Sequence, residues 1–529
     1  MKGTGMSDSH EVMFYTDGRH TSVYLYEPPM GVRQYVEPID ELLDLGIDTI
    51  TYAVGDCSVL LYDTKVGERW GHNVDLTDHQ IWYRAGMNAE QMIDSGTDPL
   101  MLVCEHAKKR GFQFLPHILL NMVHTDHGRV TNCRVADFTS EHPEWQVGPE
   151  PDYPEAEFDI PNRLSYAHPE VRADRLAVIR ELVTDYPSDG VEMNFDDYTP
   201  LIARREIEEH TDTLTEWMRD IRQACDAAAA AQGIAKRLVV RMPGTLEGSK
   251  SIGLDLERWI REEIVETVIA MPVRGGWEND TALLREIVEV AEGTSVKVLA
   301  GHANSQGQTS RLTDYAAASN AYAVGAQGVL YHTYYPNPKR YPYNFETTGR
   351  IRFMGYPDII SHMDKTYRLT VAGWPSSIGR FAGVEDQLPI DLSPGEPGRE
   401  VTLDVSDDIA AKADAGELWR CELRVLLDQR MHTDEVAVFW NDCEVPIDEH
   451  RWADWTYQLR PRPDTSLGYR LHIDLKKGLL PVAGTNRLRV DLLTKDETLI
   501  KPVSIKHVEI IVEYLPHRNA LREDEKFED

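Results

Sequence analysis

Glu192, Asn194 and Asp196 stand at every second place in this sequence, with Asp197 directly behind, in the stretch DYPSDGVEMNFDDYTP of residues 185–200. The stretch otherwise reads as a buried strand. Side chains two apart on a strand share a face. One face is therefore Val191, Met193 and Phe195, suited to packing under a helix, and the other is Glu192, Asn194 and Asp196. A face bearing carboxylates must meet solvent, a polar network or a reacting substrate, because an unpaired buried carboxylate is costly. Carboxylates stacked this closely can force their pKa values apart, so that one stays protonated near neutral pH. General acid cleavage of a glycosidic bond needs such a group.

A scaffold that gathers strand ends would put these residues to use. From residue 20 to about 335, strand-like and helix-like runs alternate. The strand-like runs are TSVYLYEP (21–28), IDTITYAVG (47–55), FQFLPHILLNM (112–122), the stretch above, RLVVRMPG (237–244), VETVIAMP (265–272), SVKVLAGHA (295–303) and GVLYHTYYP (328–336). Eight units, each followed by a helix or a loop with room for one, fit a (β/α)8 TIM barrel better than an open doubly wound sheet. No GxGxxG follows the first of them, which lowers the dinucleotide-binding alternative. Functional groups of a barrel gather at the C-terminal strand ends. The unusual residues fall there: Glu27, Asp56, His117 and Asn121, Asp196 and Asp197, Arg241, Trp277 and Glu278, His302 and Asn304, His332 and Tyr334. On the inner face of its strand Glu192 is expected deepest, Asn194 midway and Asp196 at the rim. The plain alternative for Glu192 is an ion pair with Arg241 of the neighbouring strand.

After residue ~375 the texture changes to short alternating runs, such as REVTLDVSDD, WRCELRVLL and VSIKHVEIIVEYL, at the spacing of a smaller all-β sandwich. The expected division is an N-terminal extension (1–20), the barrel (21–370), the sandwich (371–516) and a charged tail (517–529). With 55 Lys and Arg against 88 Asp and Glu, the formal charge of −33 argues against nucleic acid or an anionic membrane surface as partner. Six scattered cysteines without CxxC give neither a zinc framework nor a disulfide scaffold. No apolar leader and no membrane-spanning run is visible, so a cytoplasmic location is the expectation, or secretion had a leader been removed. Self-association through the sandwich is left open.

The stretch SYAHPEVRADRLAVIRELVTDYPSDGVEMNFDDYTP and the upstream HPEW (142–145) resemble the fourth-strand region of glycoside-hydrolase-like proteins related to family 10. The match is concentrated in residues ~140–200. It implies a (β/α)8 glycosidase-like fold acting on carbohydrate. DGVEMNFD also shares the spacing of the chitinase strand DGxDxDxE, whose last acidic slot donates the proton and falls on Asp196. The departures are Asp in place of Glu there, and Asn in the middle slot. True family-10 glycosidases pair a Glu following an Asn on strand 4 with a Glu on strand 7. Here Phe195 follows Asn194, and strand 7 ends LAGHANSQ without a carboxylate.

The expected enzyme is thus a glycosidase with Asp196 as general acid, assisted by Glu192 and Asp197. Its second carboxylate is sought first at Glu278, then at Asp56 or Glu27. Asn194, His117, Asn121, Arg241, Trp277, His302, Asn304, His332 and Tyr334 are the expected sugar-binding groups. No cofactor is implied, and no metal is assigned. Two rivals remain: a non-catalytic glycan-binding barrel, and a metal-dependent sugar-active barrel enzyme using His124 and Asp126 of HTDHG.

Overall fold

The computed structural model describes residues 9–56, 59–74, 77, 79–121, 133–149, 162–197, 199–272, 281–303, 310–332, 351–370, 386–447, 451–457 and 467–515. The chain enters through β1 (Glu11–Thr16), α1 (Val32–Asp40) and β2 (Thr49–Ala53). A small sheet follows, of β3 (Gly55–Asp56), β4 (Val59–Leu60) and β5 (Glu68–Arg69), and then α2 (Gln80–Asp94) and α3 (Pro99–Lys109). After β6 (Gln113–Leu119) come α4 (Asp137–Ser140), α5 (Pro169–Thr184), β7 (Gly190–Asn194) and α6 (Ile207–Gln232). The alternation continues with β8 (Arg237–Pro243), α7 (Leu246–Ser251), α8 (Leu256–Arg261), β9 (Thr267–Met271), α9 (Thr281–Ala291), β10 (Lys297–Ala303), α10 (Arg311–Ala323) and β11 (Gly328–His332).

Eight of these strands close into a parallel barrel in the order β1–β11–β10–β9–β8–β7–β6–β2. Alternation sorts their side chains. Phe14, Ile50, Ile118, Met193, Val240 and Val298 face the helices, while Met13, Leu115, Val239, Ile269, Leu299 and Leu330 fill the interior. The N-terminal mouth is closed by Arg237, which lies 2.6 Å from Glu11 and donates to Gln113 at 2.8 Å and Thr267 at 3.1 Å. Barrels of this kind gather functional groups at the opposite mouth.

The strand expected over 21–28 does not form. Gly18 takes a left-handed φ of 64° and Arg19–Val23 coils into a wide helical turn. The first barrel strand is the run Glu11–Thr16, inside the segment expected to be an extension, with Tyr15 opposite Thr51 and His332. β-Forming side chains at 21–23 did not decide the outcome, because burial against the barrel top satisfies them equally well in a turn.

The remaining strands are β12 (Lys365–Thr370), β13 (Ile390–Leu392), β14 (Val401–Val405), β15 (Leu418–Asp428), β16 (Glu435–Trp440), β17 (Cys443–Val445), β18 (Arg451–Asp454), β19 (Tyr469–Asp474), β20 (Gly484–Thr494) and β21 (Val503–Tyr514). They form two antiparallel sheets, β12–β21–β15–β19–β18 with β13 also on β21, and β14–β20–β16–β17. Leu423, Val425 and Ile510 of one sheet share a core with Leu403, Val438 and Val490 of the other, so the pair is a sandwich. β12 lies within the range expected for the barrel yet pairs with β21. The sandwich docks on α9 and α10: Asn320 donates to the Asp404 carbonyl at 2.9 Å, and Thr281 to the Asp404 carboxylate at 2.8 Å.

Candidate active site

The fourth barrel strand, β7, begins at a glycine that its path requires. Gly190 has φ +133°, and a Cβ there would lie 2.0 Å from the Arg237 carbonyl oxygen. With the strand so placed, Glu192 and Asn194 point inward and Val191 and Met193 outward, as the alternation predicts. Glu192 Oε1 is 2.7 Å from Arg241 Nε and 2.7 Å from Arg241 Nη2, and its Oε2 is 2.9 Å from His117 Nδ1. The alternative foreseen for Glu192, an ion pair with Arg241, is therefore what forms.

Around this pair a buried layer closes the barrel beneath the rim. The Tyr15 ring meets His117 edge-on at 4.7 Å and His332 at 4.5 Å, and the Arg241 guanidinium lies 4.8 Å from its centre. Arg241 Nη1 is 3.4 Å from His332 Nδ1. Burial alone would raise the Glu192 pKa, but Arg241 and His117 outweigh it and hold the group down to about 2. Burial, followed by the charge of Arg241, keeps His332 well below its usual value, and burial likewise lowers His117 despite Glu192. The layer thus holds a fixed carboxylate, a fixed guanidinium and two neutral imidazoles at pH 7. His117 and Arg241, expected to bind sugar, and Glu192, expected to assist catalysis, are each 0 % exposed, in a buried layer beneath the rim.

Above this layer Asn194 organises the rim. Its Oδ1 accepts from the backbone N–H of Asp196 at 2.9 Å and of Asp197 at 3.1 Å, while its Nδ2 donates to Asp197 Oδ2 at 2.8 Å. An Asx-type turn of this kind needs an acceptor and a donor on one short side chain, which Asn has and a carboxylate lacks. Asn194 Nδ2 also lies 3.5 Å from His117 Nε2, so the amide expected to bind sugar is engaged within the protein by the turn and the layer beneath it. Asp196 is left half-buried at the opening. Burial, and next the adjoining Asp197 carboxylate, push its pKa well above the ordinary carboxyl value, with Arg241 opposing.

A second charged line flanks the mouth. Asp56 is fully buried between Arg19, which pairs with its Oδ1, and Arg134, whose Nε is 2.6 Å from its Oδ2. Arg134 in turn lies over the rings of Trp82 at 5.2 Å and Trp70 at 5.7 Å. Asp17 pairs with Arg19 and His20. Glu27 is an exposed loop acid paired with Arg84. Both fallback candidates for the second carboxylate are thus held by arginines.

Two expected binding residues lie elsewhere. Asn121 is buried and spends its amide on the Leu164 carbonyl (3.1 Å), the Pro200 carbonyl (3.0 Å) and the Leu164 N–H (3.1 Å), clasping two loops together. His302 follows Gly301, whose α-carbon faces interior Met271, so the imidazole points outward and its Nε2 meets Asp314 of α10 at 2.7 Å. Trp277, Glu278, Asn304 and Tyr334, with His124 and Asp126, lie outside the described residues. A first strand sought at residues 21–28 leaves Tyr15, Asp17 and Arg19 out of the site, and Arg134, in the excursion after β6, carries no periodic signal of its own. The run EVMFYT ending in Asp-Gly was the available signal. Among the described residues the one group of metal-ligand types is Glu68, His72 and Asp137, on the excursions above the strands.

The family described as Glycosyl hydrolase-like 10 matches residues 19–217, a span that holds β2, β6, β7 and Asp196. No curated protein matches the chain. Among solved structures, it is similar to alpha-L-fucosidase isoenzyme 2 from Paenibacillus thiaminolyticus at 14% identity, TM-score 0.42, covering 65% of this chain and 49% of that one. The chain therefore spans about half the length of that fucosidase. It is also similar to the PgaB (BpsB) glycoside hydrolase domain from Bordetella bronchiseptica, at 13% identity and TM-score 0.41, covering 61% of this chain and 94% of that one. A GH36 alpha-galactosidase from Geobacillus stearothermophilus is similar at 11% identity and TM-score 0.37, over 92% and 56% respectively. Residues 19–217, under half of the chain, are thus similar to the Glycosyl hydrolase-like 10 family, and the fold they belong to is a closed (β/α)8 barrel with an appended β-sandwich.

Proposed function

We propose that the protein is a glycoside hydrolase acting on oligo- or polysaccharide, with Asp196 as its general acid. The observation that carries this is the place of Asp196, a half-buried carboxyl just past the C-terminal end of the fourth barrel strand and next to Asp197, where burial and that neighbouring charge raise its pKa. A carboxyl that keeps its proton near neutral pH can pass it to the glycosidic oxygen as the C–O bond breaks. Asp197, fixed by Asn194, keeps that proton in place by its own charge. Glu192 acts from below: its ion pair with Arg241 sets β7 against β8 and so sets where the rim begins. Since Asp56 and Glu27 are held by arginines, Glu278 after the sixth strand remains the proposed second carboxylate. Trp277, Asn304 and Tyr334 are proposed as sugar-contacting groups.

The test is reducing-end release from a broad panel of poly- and oligosaccharides, comparing wild type with Asp196→Asn. A glycan cleaved by the wild type and spared by the variant supports the reading. Equal cleavage by both removes Asp196 as the acid. Binding without cleavage by the wild type would make this a glycan-binding barrel instead.

A further inference from the structure

We propose that Glu68, His72 and Asp137 form a binding site for a divalent cation of the zinc type, which clips together the two excursions that wall the barrel mouth. The site is independent of the glycosidase reading. Glu68 lies in β5, His72 just beyond it, and Asp137 opens α4 in the excursion after β6.

The argument starts from a ring nitrogen. His72 Nδ1 is 2.8 Å from the Arg69 carbonyl oxygen. A carbonyl only accepts, so Nδ1 carries the proton and donates it. In the neutral ring the other nitrogen, Nε2, presents a lone pair; it lies 3.0 Å from Glu68 Oε2 and 3.2 Å from Asp137 Oδ2. Three electron-pair donors facing one another repel unless a cation or a second ring proton stands between them. The three ligand atoms all lie within 4.8 Å of each other. Tetrahedral zinc, with bonds of about 2.0–2.2 Å to imidazole and carboxylate, draws its ligands into a similar span. One nitrogen and two oxygens suit zinc better than calcium or magnesium, which favour oxygen alone.

The surroundings brace the ligands. Glu68 Oε1 accepts from the Phe138 N–H at 2.8 Å, and Glu68 Oε2 from the Asp137 N–H at 2.7 Å. Asn73 Nδ2 donates to Asp137 Oδ1 at 2.8 Å, leaving Oδ2 toward the imidazole. Outer contacts of this kind orient the ligands of metal sites. The same two excursions already meet through the Gly71 N–H to Cys133 carbonyl bond of 2.9 Å, and through Arg134 on Trp70 and Trp82. A cation here would therefore tighten an existing junction.

The experiment is calorimetric titration of the chelator-stripped full chain with zinc chloride, for wild type, His72→Ala and Asp137→Asn. The expected result is one zinc equivalent in the wild type that both variants lose or bind far more weakly. The weakening should exceed the ~10–100-fold that outer partners of a site are worth. Zinc should also raise the Tm of the wild type and not that of the variants. Zinc held elsewhere would be common to all three proteins and cancels. Equal stoichiometry and affinity in wild type and variants, or no zinc uptake by the wild type, overturns the proposal. Should His72→Ala fail to fold by circular dichroism, Asp137→Asn alone decides.

Discussion

Glu192 and Arg241 meet across β7 and β8 with no exposure of either side chain, Glu192 Oε1 lying 2.7 Å from both Nε and Nη2. Removing one member of such a pair strands the other charge in the interior, at about 3–5 kcal/mol, whereas an apolar replacement of both costs far less. Arg241→Met is expected to lose that amount in urea titrations, and Glu192→Leu/Arg241→Met to recover most of it. A double variant no more stable than the single one would show that the pair is not the unit. Glu192, held at about 2 against an ordinary 4.5, adds stability that is complete above the ordinary value and lost as pH falls toward 2. Arg241→Met should flatten that acid limb.

The rate should depend on the proton held by Asp196. If Asp196 is the acid, kcat/KM falls as pH rises through its raised pKa. Asp197 raises that pKa by its charge, so Asp197→Asn should move the alkaline limb to lower pH. An alkaline limb that stays in place would detach Asp197 from the proton. Asp196→Asn should reduce kcat by roughly 10²–10⁴, the usual worth of a general acid.

The same variant should be more stable than the wild type at pH 7. A carboxyl whose folded pKa is raised contributes fully below its unfolded value and loses that contribution as pH climbs through the folded one. Asparagine carries no charge to desolvate, so Asp196→Asn should show the higher Tm at pH 7. The difference should vanish at about pH 3, below the ordinary Asp value. Equal melting at both pH values would mean that Asp196 ionises freely.

Asn194→Ala should separate positioning from folding. Its side chain makes three hydrogen bonds to Asp196 and Asp197, and a longer one of 3.5 Å to His117 Nε2. Releasing the turn is expected to lower kcat about 10²-fold, the scale of a 1 Å misplacement, with less change in KM. An unaltered kcat would remove the turn from the site.

His302→Ala should cost about 1–3 kcal/mol of stability, since it strips buried Asp314 of a 2.7 Å partner. Its kcat/KM should match the wild type, as the imidazole faces α10. Loss of activity without loss of stability would return His302 to the site.

The barrel was legible because its strands alternate with helices at the right count, and β7 most of all, since its polar face breaks an apolar run. The other strands are apolar on both faces, as strands of a parallel sheet are, and carry no parity signal. Hence His302 read as a site residue although Gly301 beside it faces the interior. Asn121 read the same way because nothing local announces that Leu164 and Pro200, far along the chain, will come to its amide.

By itself the sequence determined the architecture, barrel then sandwich, and the order of groups along β7, because both follow from local periodicity. The tertiary structure decided which carboxylates are spoken for. Glu192 is tied by Arg241 of the next strand, Asp56 by Arg19 and Arg134 from two other segments, and Asp196 by neither. Protonation depends on charges brought near through space and on burial, and neither is written in neighbouring residues.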